Sequence, residues 1–145
     1  MAWAGFEGDL GPNDEYSSSV NRTLRDKVAQ LRVYLVAAFQ PFEVKAIRLM
    51  ADAVVPEPLL LRLLAASKAD RYEYTGSGYF LTVKDRALPL ERRALSEPSV
   101  VGVAGEIQAG FVVYLGDGEF TLECHTWGAV DVPENFRELS VNVIA

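Results

Sequence analysis

The sequence is poor in the residue types that carry most enzyme chemistry. Its 145 residues include one cysteine, Cys124, and one histidine, His125. A single cysteine forms no internal disulfide bond, and no group of Cys and His residues has the spacing of a metal site. We therefore expect no metal ion and no cofactor.

Basic residues are also scarce. The chain has 14 Lys and Arg residues against 20 Asp and Glu residues, which gives a formal net charge of −6 at pH 7. Nucleic-acid-binding domains concentrate Lys and Arg to neutralise phosphates, so we expect no nucleic-acid partner. A basic protein partner would suit this charge balance better.

Long apolar runs are absent from the sequence. No stretch reaches the roughly 18 apolar residues that a membrane-spanning helix needs. The first twenty residues have neither the basic start nor the apolar centre of a signal peptide. We expect no membrane partner and a cytoplasmic location.

The composition that is present is that of a globular protein. Half of the residues are hydrophobic, and the length fits one domain. Residues 1–19 are rich in Gly, Asp, Ser and Asn, which predicts an irregular N-terminal arm. Residues 20–145 are predicted to form a single α+β domain that is helical over 20–68 and β-rich over 69–145. Apolar residues at steps of three and four predict helices over 20–40, 42–54 and 57–67.

Alternation of apolar and polar residues predicts the strands. It indicates strands at 71–74, 79–83, 100–103, 107–115, 119–127 and 139–144, with a charged connection over 85–98. The predicted fold class is α+β, with the N-terminal helices packed on one face of a mostly antiparallel C-terminal sheet of about five to six strands.

The pair Asp117-Gly118 is the strongest local signal in the chain, because Asp-Gly between alternating apolar runs predicts a two-residue hairpin turn. That turn sets three apolar pairs opposite one another on one face: Leu115 with Phe120, Val113 with Leu122, and Phe111 with Cys124. The other face then collects the candidate binding residues Tyr114, Thr121, Glu123, His125 and Trp127. Exposed Tyr and Trp residues are typical of protein interfaces, although sheet packing also favours them.

Other patterns are weaker candidates for a site. Cys124 and His125 are adjacent, but neighbours on a strand point to opposite faces, so a Cys–His dyad is not expected. His125 with Glu123 has the residue types of an acid–base pair, and Tyr74 is a third candidate for such chemistry. The segment Thr75-Gly76-Ser77-Gly78 lies between two predicted strands and favours a hairpin turn over a phosphate-binding loop.

Residues 71–80 (Arg-Tyr-Glu-Tyr-Thr-Gly-Ser-Gly-Tyr-Phe), followed by the hairpin at 110–128, resemble a group of small bacterial α+β proteins. These share a Tyr-Thr-Gly-x-Gly-aromatic hairpin, and some look like immunity or accessory proteins of toxin systems. The resemblance implies the β half of the fold and supplies no catalytic residue.

Two classes of function follow from these observations. The first is an intracellular, non-catalytic protein-binding domain, with an immunity-type inhibitor of a basic toxin domain as its most specific form. The second is a small enzyme or ligand-binding domain with His125 and Glu123 in a pocket. A structural homodimer joined through the aromatic sheet face is a further alternative.

Overall fold

The computed structural model describes residues 37–145. The predicted arm at 1–19 and residues 20–36 of the helix predicted over 20–40 lie outside this range. The described end of that predicted helix, residues 37–40, is not helical. The described part contains two α-helices followed by a six-stranded sheet, which confirms the predicted α+β fold class.

The two described helices begin at prolines or immediately after them. Helix α1 spans Pro41–Ala51 and helix α2 spans Glu57–Leu64. Proline is tolerated in the first turn because the N–H that it lacks has no partner there in any helix. Ala46, Ile47 and Met50 of α1 are buried, as their three- and four-residue spacing predicts.

All neighbouring strands of the sheet are antiparallel, in the order β1-β2-β5-β4-β3-β6. The strands are β1 (Arg71–Tyr74), β2 (Gly78–Lys84), β3 (Arg93–Ala104), β4 (Ile107–Gly116), β5 (Glu119–Thr126) and β6 (Asn142–Ile144). A short 3₁₀ helix, Phe136–Glu138, precedes β6.

The β4–β5 hairpin has the register that its turn predicts. Leu115 pairs with Phe120, Val113 with Leu122, and Phe111 with Cys124. Asp117 and Gly118 have φ angles of 55° and 74°, and two successive residues in this region form the turn that matches the twist of a hairpin.

Strand β3 is longer than the sequence pattern predicts. It begins at Arg93, so the second half of the predicted 85–98 connection is in fact strand. Its pairing with β4 shifts between Leu95 and Val100, which marks a bulge at the stretch that contains Pro98. Charged residues and a proline in the part of β3 before Val101, which has no partner in β6, mask the apolar alternation on which strand prediction depends.

The sheet has two unlike faces. On the core face, Phe111 contacts Phe42 of α1 and Phe120 contacts Phe39, each with ring centroids 6.1 Å apart. The buried hydrophobic residues of β2, β4 and β5 point to this face. We call the opposite side the open face; it carries Phe80, Val112 and the five predicted binding residues Tyr114, Thr121, Glu123, His125 and Trp127.

Candidate functional site

The structure brings the five predicted residues together on the open face. Tyr114 on β4 pairs across the ladder with Thr121 on β5, and Glu123 and His125 follow at two-residue steps along β5. Trp127 follows the end of β5, where its backbone N–H donates to the Gln108 carbonyl at 2.8 Å. Tyr114 is 40% exposed and Trp127 is 55% exposed.

Tyr114 and Glu123 form the polar link at the centre of this group. The Tyr114 hydroxyl donates to Glu123 Oε1 at 3.1 Å. Partial burial and this hydrogen bond to the carboxylate both raise the pKa of Tyr114, because each disfavours the phenolate. The carboxylate is therefore held in place by a neutral donor.

His125 lies on the other side of the same carboxylate. Its Nδ1 is 3.9 Å from Glu123 Oε1, which is too long for a hydrogen bond. That nitrogen is buried and has no hydrogen-bond partner among the residues that the structure describes. A proton on Nδ1 would therefore face Glu123 Oε1, which lies within 4 Å but beyond hydrogen-bond distance.

Gly110 makes room for the two rings. His125 pairs with Gly110 across the ladder, and its ring lies 6.1 Å from that of Trp127. A Cβ atom at residue 110 would stand 2.5 Å from His125 Nε2 and 2.8 Å from Trp127 Cε3. The absence of a side chain at this position lets both rings lie close over the backbone of β4.

Thr121 is fixed within the sheet. Its hydroxyl is hydrogen-bonded to that of Thr82 on β2 at 2.8 Å, and Thr82 is buried. Next to Thr121 and Tyr114 lies a concavity of about 380 Å³, which is also lined by Arg92 and Arg93. Thr121 therefore supports the open face and lines one edge of this concavity.

Cys124 points away from His125 into the core. It is buried, and that burial raises the pKa of its thiol to about 12. A thiol with such a pKa is almost wholly protonated at neutral pH and is a poor nucleophile. The adjacency of Cys124 and His125 in the sequence thus produces no dyad.

Of the three residues proposed for acid–base chemistry, Tyr74 is separated from His125 and Glu123. Tyr74 pairs with Tyr79 on the core face, and its hydroxyl donates to the Val132 carbonyl at 2.9 Å. The cavities described along residues 54–121 are lined by neither His125 nor Glu123. Within residues 37–145, no cluster of three or more His, Cys, Asp or Glu side chains could hold a metal ion.

The glycine-rich segment at 75–78 forms a hairpin turn. The Thr75 N–H donates to the Gly78 carbonyl at 2.8 Å, and strands β1 and β2 flank the turn. A Cβ atom at residue 78 would stand 2.0 Å from the Cys124 carbonyl oxygen. Gly78 is thus accounted for by the close approach of β2 to β5.

A buried ion pair on the core side was not predicted from the sequence. Glu43 is fully buried in the first turn of α1, and Arg137 donates to its two carboxylate oxygens at 2.8 and 2.9 Å. The Tyr79 hydroxyl and the Gln40 backbone N–H also donate to this carboxylate. The three-residue spacing of Gln40 and Glu43 at a helix start is the one local signal for part of this network.

Arg137 also stacks on aromatic rings. Its guanidinium carbon lies 5.7 Å from the ring centre of Tyr72 and 5.8 Å from that of Tyr79. Burial is the largest single effect on the pKa of Arg137 and would lower it, but the hydrogen bonds to Glu43 and the charges of Glu43, Tyr79 and Tyr72 together raise it. Every charge in this cluster is paired, so its role is to fix the fold.

In residues 37–145 no helix combines the length and the apolar character that crossing a membrane requires. Comparisons with protein-family profiles, with curated proteins and with solved structures return no match for this chain.

Proposed function

We propose that this chain is a non-catalytic protein-binding domain and that the open face is its binding surface. The observation that carries the proposal is the exposure of Tyr114 and Trp127 on the sheet face opposite the core. Tyr and Trp bury a large area at interfaces while keeping one polar atom for a hydrogen bond, and they dominate binding hot spots.

The charge of the protein supports a basic partner. With a net charge of −6, electrostatic attraction would speed encounter with a cationic protein and disfavour acidic ones. The most specific form of the proposal is a bacterial immunity-type protein that covers the cationic active site of a toxin domain in the cytoplasm. No observation in the described cavities favours the alternative of an enzyme that uses His125 and Glu123.

Affinity capture with matched variants tests the proposal. The immobilised protein is exposed to a lysate of the organism that encodes it, beside the variant Tyr114→Ser/Trp127→Ser and the control Leu61→Ser. Leu61 on α2 is 51% exposed, so the control removes a similarly exposed apolar group from a helix. Circular dichroism checks that each variant is folded.

We expect a stoichiometric partner that the wild type and the control retain and the double variant loses. Equal capture by all three proteins would place the binding surface elsewhere, and no captured protein would contradict the proposal. If sedimentation shows a dimer that only the double variant disrupts, the open face joins two copies of this chain instead.

A further inference from the structure

Glu123 differs from the carboxylates around it in what it is paired with. Most carboxylates in ion pairs of the described residues are matched by an arginine, as Glu119 is by Arg71 at 3.0 Å and Asp85 is by Arg62 at 2.9 Å. No Lys or Arg of residues 37–145 lies within 4 Å of Glu123. Its hydrogen-bond donor is the neutral Tyr114 hydroxyl, so the carboxylate keeps its charge and spare acceptor positions.

Trp127 lies two residues beyond His125, on the same face of the sheet. Trp127 is more than half exposed. Because Gly110 has no side chain, the rings of His125 and Trp127 can lie close to the backbone of β4. A tryptophan face attracts a guanidinium or ammonium group. Glu123, on the other side of His125 on the same face, offers a carboxylate for a direct charge pair.

We propose that Glu123 and Trp127 receive an arginine or lysine side chain of the partner protein, and that protonated His125 competes with it for the Glu123 carboxylate. This rests on the proposed function and deepens it, since it names the chemistry that the open face recognises. Charge complementarity selects the occupant: a carboxylate with no Lys or Arg beside it, on the same face as an exposed ring, accepts a positive group.

The surroundings of His125 make it a direct competitor. The residues opposite it on the neighbouring strands are Gly110 on β4 and Gly78 on β2, which carry no charge. Glu123 is the one carboxylate of the described residues within 4 Å of His125, and Glu73 on β1 lies in the same row as Glu123, beyond Phe80. A proton on His125 would place a cation within 4 Å of the Glu123 carboxylate, so we expect partner binding to weaken in acid.

Nuclear magnetic resonance with a small probe tests this. The probe is the peptide acetyl-Gly-Arg-Gly-amide, and its neutral counterpart carries citrulline in place of arginine. Because the chain has one histidine, the imidazole resonance reports on His125 without ambiguity. The indole N–H of Trp127, identified by its loss in Trp127→Phe, gives a second readout.

At pH 8 we expect the arginine peptide to shift both resonances in a saturable way and the citrulline peptide to bind at least fivefold more weakly. Glu123→Gln should remove this difference, whereas Glu119→Gln should keep it because Arg71 already neutralises Glu119. At pH 5.5 the arginine peptide should bind about five- to tenfold more weakly. In His125→Gln the indole signal should show binding that no longer depends on pH.

Equal binding of the two peptides, or unchanged arginine binding in Glu123→Gln, would overturn the cation site. Binding that is equal at pH 8 and pH 5.5 would overturn the competition by His125. Shifts that depend on protein concentration without peptide would assign the site to a second copy of the chain and overturn the partner assignment. If lysate capture succeeds while the peptide fails, the binding function stands and the cation site falls.

Discussion

At the scale of single residues, Gly110 determines how the candidate site is arranged. Replacing it with alanine would place a Cβ atom 2.5 Å from His125 Nε2 and 2.8 Å from Trp127 Cε3, closer than van der Waals contact allows. We expect Gly110→Ala to shift the His125 imidazole resonance and the Trp127 indole resonance. The fold should survive with a loss of about 1–3 kcal/mol in unfolding free energy, measured in urea.

The control for this variant is Gly76→Ala. Residue 76 has a φ of 97° and no atom within 4 Å of an added Cβ, so alanine there strains the backbone without touching a neighbour. Gly76→Ala should cost stability and leave the resonances of His125 and Trp127 in place. An unmoved imidazole resonance in Gly110→Ala would show that the ring does not lie where the structure places it.

At the scale of secondary-structure elements, the buried cluster around Glu43 joins three segments that are distant in sequence. Arg137, 94 residues from Glu43, brings the 3₁₀ helix to the start of α1, and Tyr79 adds β2. We expect Glu43→Gln to lower the unfolding free energy by about 3 kcal/mol, at the lower end for a broken buried pair, because it leaves the partly buried Arg137 charge without its partner. Urea unfolding followed by circular dichroism measures this loss.

A double-mutant cycle separates the ion pair from simple packing. Glu43→Leu/Arg137→Met removes both charges, so it should cost less than the sum of the two single changes. If the three variants were additive, the two side chains would not interact in the folded protein and the proposed role of the cluster would be wrong.

The elements also show which parts of the fold the sequence can predict. The turn and pairing register of the β4–β5 hairpin follow from the sequence, and the strand ends to within one residue, because turn chemistry and alternation agree within twenty residues. The start of β3 at Arg93 was missed, since polar residues and Pro98 interrupt its alternation at a bulge. The Glu43–Arg137 pair was missed because a contact across 94 residues leaves no local pattern.

At the scale of the whole molecule, the sheet keeps its packing face and its proposed binding face on opposite sides. Its core face buries the aliphatic and aromatic side chains against α1, and its open face carries Tyr114, Glu123, His125 and Trp127. The hairpin register alone was enough to group these residues on one face. The register does not predict the 3.9 Å distance between His125 Nδ1 and Glu123 Oε1, or that no Lys or Arg of residues 37–145 lies beside Glu123. Both depend on side-chain conformations and on contacts between distant parts of the chain.

Burial across the core also predicts how stability changes with pH. The pKa of Tyr79 is raised well above its ordinary value by burial, and that of Cys124 is raised to about 12. In the unfolded chain these groups ionise near pH 10 and pH 8.5, so above those values the unfolded state holds fewer protons than the folded state. These two groups should therefore leave the free energy of unfolding unchanged below about pH 8 and lower it as the pH rises towards 12.

Cys124→Ala isolates the contribution of the thiol to this alkaline loss. Between about pH 8.5 and pH 9.5, where tyrosine in the unfolded chain is still mostly protonated, the thiol should account for a slope of about 1 kcal/mol per pH unit. Urea unfolding at about pH 8.5, 9 and 9.5 should show that slope in the wild type and a much flatter one in Cys124→Ala. Equal slopes in the two proteins would mean that Cys124 ionises as readily in the folded state as in the unfolded one. That result would contradict its burial on the core face of the sheet.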